Sequence, residues 1–379
     1  MTSTTTLVPV QTRRERPTGV RRDDFDALSL RDLAWRFSPI EKIAPIVNGD
    51  LNGARVSASV SGVTSATVSV DWASRSDPRV GRAGLPEDRA VSAAWEFASE
   101  VLVVSIAGEQ SDEVVLDLSD LDRGPSALHC LIDVAPHSSV SLSIRYAGEV
   151  LLCEAVEFLI GDGSTLDVTY CFEETGSSVH VGAHFARVGR DATFIHSLVM
   201  LSGGVVRVNP TAHLAEAGGS VELRGLYTPG DGEHVEHHVY VDHDAPHTRS
   251  NVLYKGALRS ASSRAVWIGD VLIGAKATGT DSYEQNRNLI LRDGARADSI
   301  PNLEIETGDI VGAGHASATG RFDEEQLFYL QSRGISESEA RMLVVRGFLN
   351  EVAQKLGSPR IKALVEETLD QQFSEGVPA

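Results

Sequence analysis

The chain has 379 residues and carries 53 acidic against 34 basic side chains, which gives a formal net charge of −19. Such a surface disfavours nucleic acid, whose binding needs a basic face that displaces counterions, and it also disfavours an anionic membrane. The sequence contains no apolar run long enough to span a bilayer and no signal peptide with a hydrophobic core. We therefore expect a cytoplasmic protein that binds neither nucleic acid nor membrane.

The chain begins with a polar leader, residues 1–28, which contains a basic run between Arg13 and Arg22. A segment with so few apolar residues is typical of a disordered tail, because it cannot bury enough surface to offset the entropy lost on ordering. We predict that this leader is disordered.

A mixed N-terminal domain is predicted at residues 29–98. Its first element, SLRDLAWRFSPIEKI (29–43), predicts a short helix that is capped by the initial serine and stopped near Pro39. The alternation in TVSV (67–70) predicts a strand. A second helix is predicted for PEDRAVSAAWEFASE (86–100), which has proline near its start and acidic residues in its first turn.

From residue 99 to residue 320 the sequence repeats short strand-like units, each opened by small or polar turn residues. Five of them begin their apolar alternation 26, 13, 15 and 27 residues apart, at Val140, Leu166, Val179, Phe194 and Val221. Repetition in steps of 13–15 residues, with two units in a coil of roughly 27, favours a flattened β-helix. A two-sheet sandwich is the alternative, but its strands recur at about 8–12 residues and need hairpin turns that are scarce here.

The three cysteines, Cys130, Cys153 and Cys171, all lie within these repeats. They form no C-x-x-C pair, and their number is odd, so neither a disulfide framework nor a cysteine-built metal site is indicated. We expect three buried, unreactive thiols.

Within the repeats, HVEHHVYVDHDAPH (234–247) is rich in histidine. On a strand His234, Glu236 and His238 share one face, whereas His237 and His243 lie on the other. Neighbours on one face of a strand are about 7 Å apart, which is wide for ligands that stand about 2 Å from a zinc ion. This favours solvent-facing and packed histidines on an outer coil, with a weak metal-binding face as the alternative.

The last region, residues 321–379, reads as three short helices. Asp323 is predicted to cap the first, Ser336 and Glu339 form a capping box at the second, and Ser358-Pro359 begin the third. Their apolar stripes predict helices that cap the open end of the solenoid or offer a groove to a partner.

The seam between repeats and helices is GHASATGRFDEEQLFYLQSRG (314–334). A phosphate loop is excluded, because a Walker A motif needs glycine where Thr319 stands, and a dinucleotide motif needs glycine where Ser317 stands. Two hypotheses remain for His315: a metal ligand, or a histidine in a strand-to-helix turn.

Two longer stretches carry a family resemblance. VDHDAPHTRSNVLYKGAL (241–258) and the run from NRNLILRDGARADSIPNLEI to MLVVRGFLNEV (286–352), with GHASATG and FYLQSRGI inside it, resemble the SufB/SufD family of iron–sulfur cluster assembly proteins. The length and the missing cysteines resemble SufD members more than SufB members. The resemblance implies a mainly β fold, namely a flattened right-handed parallel β-helix flanked by N-terminal and C-terminal helical domains.

The same resemblance implies a non-catalytic scaffold subunit that pairs with SufB and binds the ATPase SufC. Such a complex builds nascent clusters and passes them to apo-proteins. It further implies that His315 is a candidate iron or cluster ligand at the SufB interface. Ala313 stands where some members have a cysteine, so thiolate ligands would come from SufB. We expect a transient cluster shared with SufB and no tightly bound cofactor in the isolated chain.

The resemblance also implies that SufC binds the C-terminal helical region. The candidate contact residues are Phe322, Leu327, Tyr329, Arg333, Arg346 and Phe348. Because an open solenoid side exposes unpaired backbone, the isolated chain is also a candidate homodimer. Two rival hypotheses are a carbohydrate-active β-helix enzyme, which the 6% aromatic content disfavours, and a purely structural solenoid adaptor.

Overall fold

Two facing sheets of nine strands each account for most of the chain. The structure is a computed structural model that describes residues 13–121, 124–321 and 324–374. Numbered along the chain, the strands of the first sheet are, in spatial order, β1 (Ser57–Ser61), β4 (Val114–Ser119), β6 (Ser139–Gly148), β8 (Thr165–Glu174), β10 (Thr193–Ser202), β12 (Ser220–Tyr227), β14 (Arg249–Leu258), β16 (Thr280–Ile290) and β18 (Ile310–Arg321). Those of the second sheet are β2 (Thr67–Ala73), β3 (Val101–Ala107), β5 (Ser126–Val134), β7 (Leu151–Ile160), β9 (Val179–Val188), β11 (Val205–Leu214), β13 (His234–His243), β15 (Arg264–Ile273) and β17 (Arg296–Ile305).

Successive strands alternate between the two sheets, so the chain winds as a solenoid. Phe194 pairs in parallel with Leu166 on one side and Val221 on the other, which are 28 and 27 residues away. Only the first pair in each sheet, β1 with β4 and β2 with β3, is antiparallel among the pairings of the described strands. The predicted parallel β-solenoid and its coil length are confirmed.

The main core lies between the sheets, because alternate side chains of every strand point inward. Val221 and Leu223 belong to this core, whereas Glu222 between them is half-exposed. Cys130 lies in the same core, and the other two cysteines are buried beneath helices on the outer faces. Burial raises the pKa of all three thiols, in keeping with the expectation that they are unreactive.

Within the described residues, five α-helices flank the solenoid: α1 (Ile40–Val47), α2 (Arg89–Phe97), α3 (Glu324–Ser332), α4 (Glu337–Ala353) and α5 (Pro359–Ser374). The N-terminal pair packs on the outer face of the second sheet, with Trp35, Ile43 and Val91 against Cys153 and Val181. The prediction of a helix over residues 29–43 is wrong. Pro39 does not stop that helix but precedes α1, and the residues before it form turns.

The N-terminal leader was predicted to be disordered, but from Arg13 onward it is ordered against the solenoid. Arg13 donates to Asp270 at 2.5 Å and lies 3.2 Å from Glu87, and its side chain is only 9% exposed. Arg14 pairs with Asp242 on the same sheet. The basic run is therefore ordered here by carboxylates that the solenoid presents on its outer face, a contact that the composition of the leader does not reveal.

The C-terminal helices cover the outer face of the first sheet and do not cap the solenoid end. Val345 and Leu349 of α4 and Val365 of α5 form a third core with Leu226 and Leu253. The capping box of Ser336 and Glu339 is confirmed. At one end the antiparallel β1 and β2 close the solenoid. At the other end β17 and β18 terminate the two sheets, and β17 is mostly half-buried whereas β18 is largely exposed. The domain boundaries of the sequence analysis stay predictions.

Candidate functional site

His315 lies in the middle of β18, the last strand of the first sheet. It pairs in register with Glu284 of β16, one coil below. The hypothesis of a strand-to-helix turn is wrong, because the strand continues to Arg321. The imidazole is 44% exposed, and its Nδ1 lies 3.9 Å from Oε1 of Glu284. The histidine is therefore held by rigid sheet backbone at an open end of the fold.

Glu284 occupies an inward-facing position of β16 and is 1% exposed. Neither of its carboxylate oxygens has a hydrogen-bond partner, and the indole Nε1 of the nearby Trp267 has none either. Burial raises the pKa of Glu284 to about 8, and the negative charge of Asp270 adds to the shift. A carboxyl group in this state is costly to keep in a core, so its presence calls for an explanation.

Small hydroxyl side chains complete the surface around His315. Ser317 donates to Ser299 across the two sheets at 2.8 Å, two residues along the strand from the histidine. Ala313, two residues before it, contributes only a methyl group. This end of the solenoid therefore offers one imidazole and a carboxylate beneath it.

The histidine-rich strand β13 separates its side chains as the alternation predicts, but all of them are buried. Glu236 accepts from His234 at 2.9 Å and from His238 at 2.8 Å on the outer face. His237 and His243 point into the core, where Nδ1 of His237 donates to the Val208 carbonyl at 2.8 Å. The expectation of packed histidines is therefore confirmed on this strand, and a solvent-facing one is found only beyond it among the described residues of the stretch, at His247. Among the described residues no group of three or more His, Cys, Asp or Glu could hold a metal ion.

A second histidine cluster, which the sequence analysis missed, lies inside the solenoid. His180 bridges Glu174 at 2.8 Å and Glu154 at 3.1 Å, and His184 contacts Glu154 at 3.3 Å. Burial alone would lower the pKa of His180, but the charge of Glu174 and the bonds to both carboxylates raise it to about 10. The same bonds outweigh burial at Glu154 and lower its pKa. This is a buried ion pair that joins neighbouring coils, and its period-2 placement on the inward face was the available signal.

The residues predicted to bind SufC fall into different environments. Phe322 lies outside the described residues. Leu327 is buried. Tyr329 is 57% exposed, and the Arg333 guanidinium lies 5.2 Å from the centre of its ring. Arg346 pairs with Asp370 of α5 at 2.7 Å.

Phe348, the last of these candidates, helps to attach α4 to the solenoid. The Lys255 ammonium lies 4.7 Å from its ring centre and donates to its carbonyl at 3.0 Å. Two exposed apolar residues of α3 and α4 were missed: Phe328, 72% exposed, and Leu343, 48% exposed. Neither lies on the inward stripe of its helix, which was the signal that could have singled them out.

The comparisons with known proteins agree with this architecture. The family model described as "SUF system FeS cluster assembly, SufBD core domain" matches residues 118–348. An iron–sulfur cluster assembly SufBD family protein of Mycobacterium tuberculosis is 42% identical over 362 residues, which cover 93% of this chain and 90% of that protein.

Two more distant relatives carry the name SufD. The iron–sulfur cluster assembly protein SufD of Bacillus subtilis is 31% identical over 64% of this chain and 57% of its own length. SufD of Escherichia coli is 30% identical over 51% of this chain and 46% of its own length. In the part of the chain that the structure describes, no helix has the length and apolar character needed to cross a membrane. The chain belongs to the SufBD family of iron–sulfur cluster assembly proteins.

Proposed function

We propose that this chain is the SufD-type scaffold subunit of a cytoplasmic complex with a SufB subunit and the ATPase SufC. The complex assembles nascent iron–sulfur clusters and transfers them to apo-proteins, and the ATP hydrolysis that drives it resides in SufC. Membership of the SufBD family and relatives named SufD support this proposal. The chain itself acts as a scaffold and not as an enzyme.

The observation that carries the proposal is the position of His315 at the uncovered end of the solenoid. The two terminal strands, β17 and β18, present edges that no other described strand pairs with. Val311 and Ile305 on these strands are 74% and 44% exposed. An exposed, partly apolar edge is suited to strand pairing with another subunit, which we infer to be SufB, or a second copy of this chain when SufB is absent.

At such an interface His315 would supply an imidazole ligand to iron or to a cluster that is cargo, not a resident cofactor. Imidazole is a suitable ligand for iron, whereas Ala313 supplies no thiolate. The thiolates would therefore come from SufB, which gives a mixed ligand set shared by two chains.

The C-terminal helices would couple this end to SufC. Phe328 and Tyr329 on α3 and Leu343 on α4 are exposed apolar side chains that a partner could cover. The other side of α4 is fixed to the first sheet, where Lys255 pairs with Glu351 at 2.6 Å. A rigid-body movement of SufC could therefore be transmitted through α4 to the solenoid and open the seam to SufB.

Replacing His315 with alanine should leave the complex assembled but deprive it of most of its cluster. The side chain is largely a surface group, so its loss removes a ligand without opening a cavity. The measurement is co-purification with SufB and SufC, followed by anaerobic reconstitution and assay of iron and acid-labile sulfide. His213→Ala, on the outer face of the second sheet, serves as the control. Unchanged cluster content in His315→Ala would restrict the chain to a mechanical role.

Reversing the charge of Arg346 should weaken SufC binding without unfolding the chain. Arg346 and Asp370 are 41% and 52% exposed, and an exposed ion pair contributes only about 0.2–1 kcal/mol to stability. Pull-down of SufC by Arg346→Glu tests this, with thermal melting as the check on folding. The double variant Arg346→Glu, Asp370→Arg restores the internal pair. If it also restores SufC binding, Arg346 acts through α5 and does not contact SufC.

A further inference from the structure

The core beneath the open end contains a carboxyl group that no hydrogen bond within the described part of the chain satisfies. Glu284 is 1% exposed, and both of its oxygens lack a hydrogen-bond partner. Leaving a buried polar group unsatisfied costs about 1–3 kcal/mol, and more when the group is charged. By contrast, two carboxylates buried elsewhere in the solenoid, Glu154 and Glu236, each accept from two histidines. Glu284 therefore destabilises the fold, unless it has a partner that binds from outside.

The fold makes room for this carboxylate. A Cβ built on Gly269 would lie 2.3 Å from Oε2 of Glu284 and 2.3 Å from the Trp267 ring. Any larger residue at position 269 would displace one of them. The absent side chain thus creates a cradle in which the carboxylate lies beside the indole, on the inward face below the last coil.

The carboxylate and the His315 ring approach each other at a distance that suits a shared cation. Nδ1 of His315 and Oε1 of Glu284 are 3.9 Å apart. Two ligand atoms that each stand about 2.1 Å from one metal ion are about 3.0–3.5 Å apart when the angle between them is near 90–110°. A small rotation of the exposed imidazole closes the remaining gap.

We propose that Glu284 and His315 together bind a divalent first-row cation, ferrous iron in the working complex, at the open end of the solenoid. The proposal rests on the ligand role of His315 in the proposed function and adds a second ligand from this same chain. One carboxylate and one imidazole suit ferrous iron and leave most of its coordination positions free. Those positions can accept sulfide and ligands of the partner subunit. The chain would then load iron at its own end of the seam before the cluster is complete.

The experiment is an anaerobic titration of the full, untagged chain with Co²⁺ as a spectroscopic probe and then with Fe²⁺. The wild type should bind one equivalent that is lost in both Glu284→Gln and His315→Ala, with affinity lowered at least about tenfold in each. Glu306→Gln is the matched control, since Glu306 follows β17 at the same end and accepts only from the Ala275 amide at 3.0 Å. It should bind the probe as the wild type does.

A melting curve without metal separates a ligand from a structural carboxylate. Glu284→Gln should melt at the same temperature as the wild type or higher, because the amide keeps the shape of the carboxyl group and cannot ionise in the core. Tight Co²⁺ binding by Glu284→Gln would overturn the proposal, and so would a binding loss that accompanies unfolding. If only His315→Ala loses the ion, the inference about Glu284 is wrong while the ligand role of His315 stands. If both variants lose the ion yet retain full cluster assembly with SufB and SufC, the ion site stands and the proposed cluster ligand fails.

Discussion

Replacing Arg207 with alanine is expected to lower the free energy of unfolding by about 3–5 kcal/mol, because the change removes one partner of a buried ion network. Arg207 is 1% exposed on β11, where its guanidinium donates to Asp88 at 2.9 Å and to Glu236 at 3.2 Å. Without it, both carboxylates stay buried and lose their cation. The cost of that uncompensated charge exceeds the value of the pair itself.

The same arginine fastens the N-terminal segment to the solenoid. Its Nη2 donates to the Ala34 carbonyl at 3.0 Å, and its guanidinium lies 4.0 Å from the centre of the Trp35 ring. Asp88 also caps α2 by accepting from the Ala90 and Val91 amides. We therefore expect the loss of Arg207 to loosen this segment first, with a red shift of Trp35 emission before global unfolding.

Urea denaturation of wild type and variant measures the effect. Arg207→Lys keeps the charge but not the planar fork that reaches three acceptors, so its loss should be smaller but clear. Arg190→Ala is the control, since Arg190 forms an exposed pair with Glu216 at 3.4 Å, 56% and 44% exposed. If Arg207→Ala costs no more than this control, the network does not stabilise the docking of the N-terminal segment.

The features that were predictable from the sequence are those whose contacts are local. The solenoid was predictable because its coil repeats. The spacing along the sequence is enough to predict the stacking of Leu166, Phe194 and Val221. The capping box at Ser336 was predictable for the same reason: three residues contain all of its contacts. Where the contacts of an element lie within a short or repeating stretch of sequence, the sequence pattern predicts the structure.

The errors arise where contacts join distant parts of the chain. Arg13 is ordered by Asp270, which lies 257 residues away. The outer face of β13 is buried because Ser38 of the N-terminal segment donates to Glu236 at 2.8 Å. Periodicity assigns a face to each strand residue, but it does not say what covers that face.

The candidate site shows both limits together. Resemblance singled out His315, and only the register of β18 on β16 placed it over Glu284. Alternation places Ser282, Glu284 and Asn286 on one face of β16. Because all three side chains are polar, the sequence does not indicate that this face points into the core. A buried carboxylate is unexpected on composition, which is why it was not a candidate before the fold was known.

Acidification from pH 8 to pH 5 is expected to cost the fold about 4 kcal/mol through His237 and His243 together, about 2 kcal/mol from each. Burial lowers the pKa of His237 to about 4, against the opposing bond to Val208, and burial lowers that of His243 to about 3. The folded pKa values thus lie below the ordinary value of 6.5 in the unfolded chain. The unfolded state binds more protons below pH 6.5, so stability is present above that pH and is lost as pH falls towards 4.

The surroundings of the two rings explain why neither accepts a proton. His243 lies between the hydroxyls of Thr248 at 2.8 Å and Ser250 at 2.9 Å, and burial is what lowers its pKa. His237 packs against the Tyr254 ring, with centres 5.4 Å apart. An imidazolium in either place would lose its hydration and gain no full counter-charge in the core.

Because carboxyl groups elsewhere also titrate, the test compares variants and not the wild type alone. The double variant His237→Asn, His243→Asn keeps short polar side chains but cannot take up these protons. The difference in unfolding free energy between variant and wild type should therefore shift by about 4 kcal/mol in favour of the variant between pH 8 and pH 5. His213→Asn, which removes a ring that is 30% exposed, is the control. A double variant whose stability falls with pH as steeply as that of the wild type would show that the core imidazoles are protonated in the folded chain. Burial would then fail to keep them neutral.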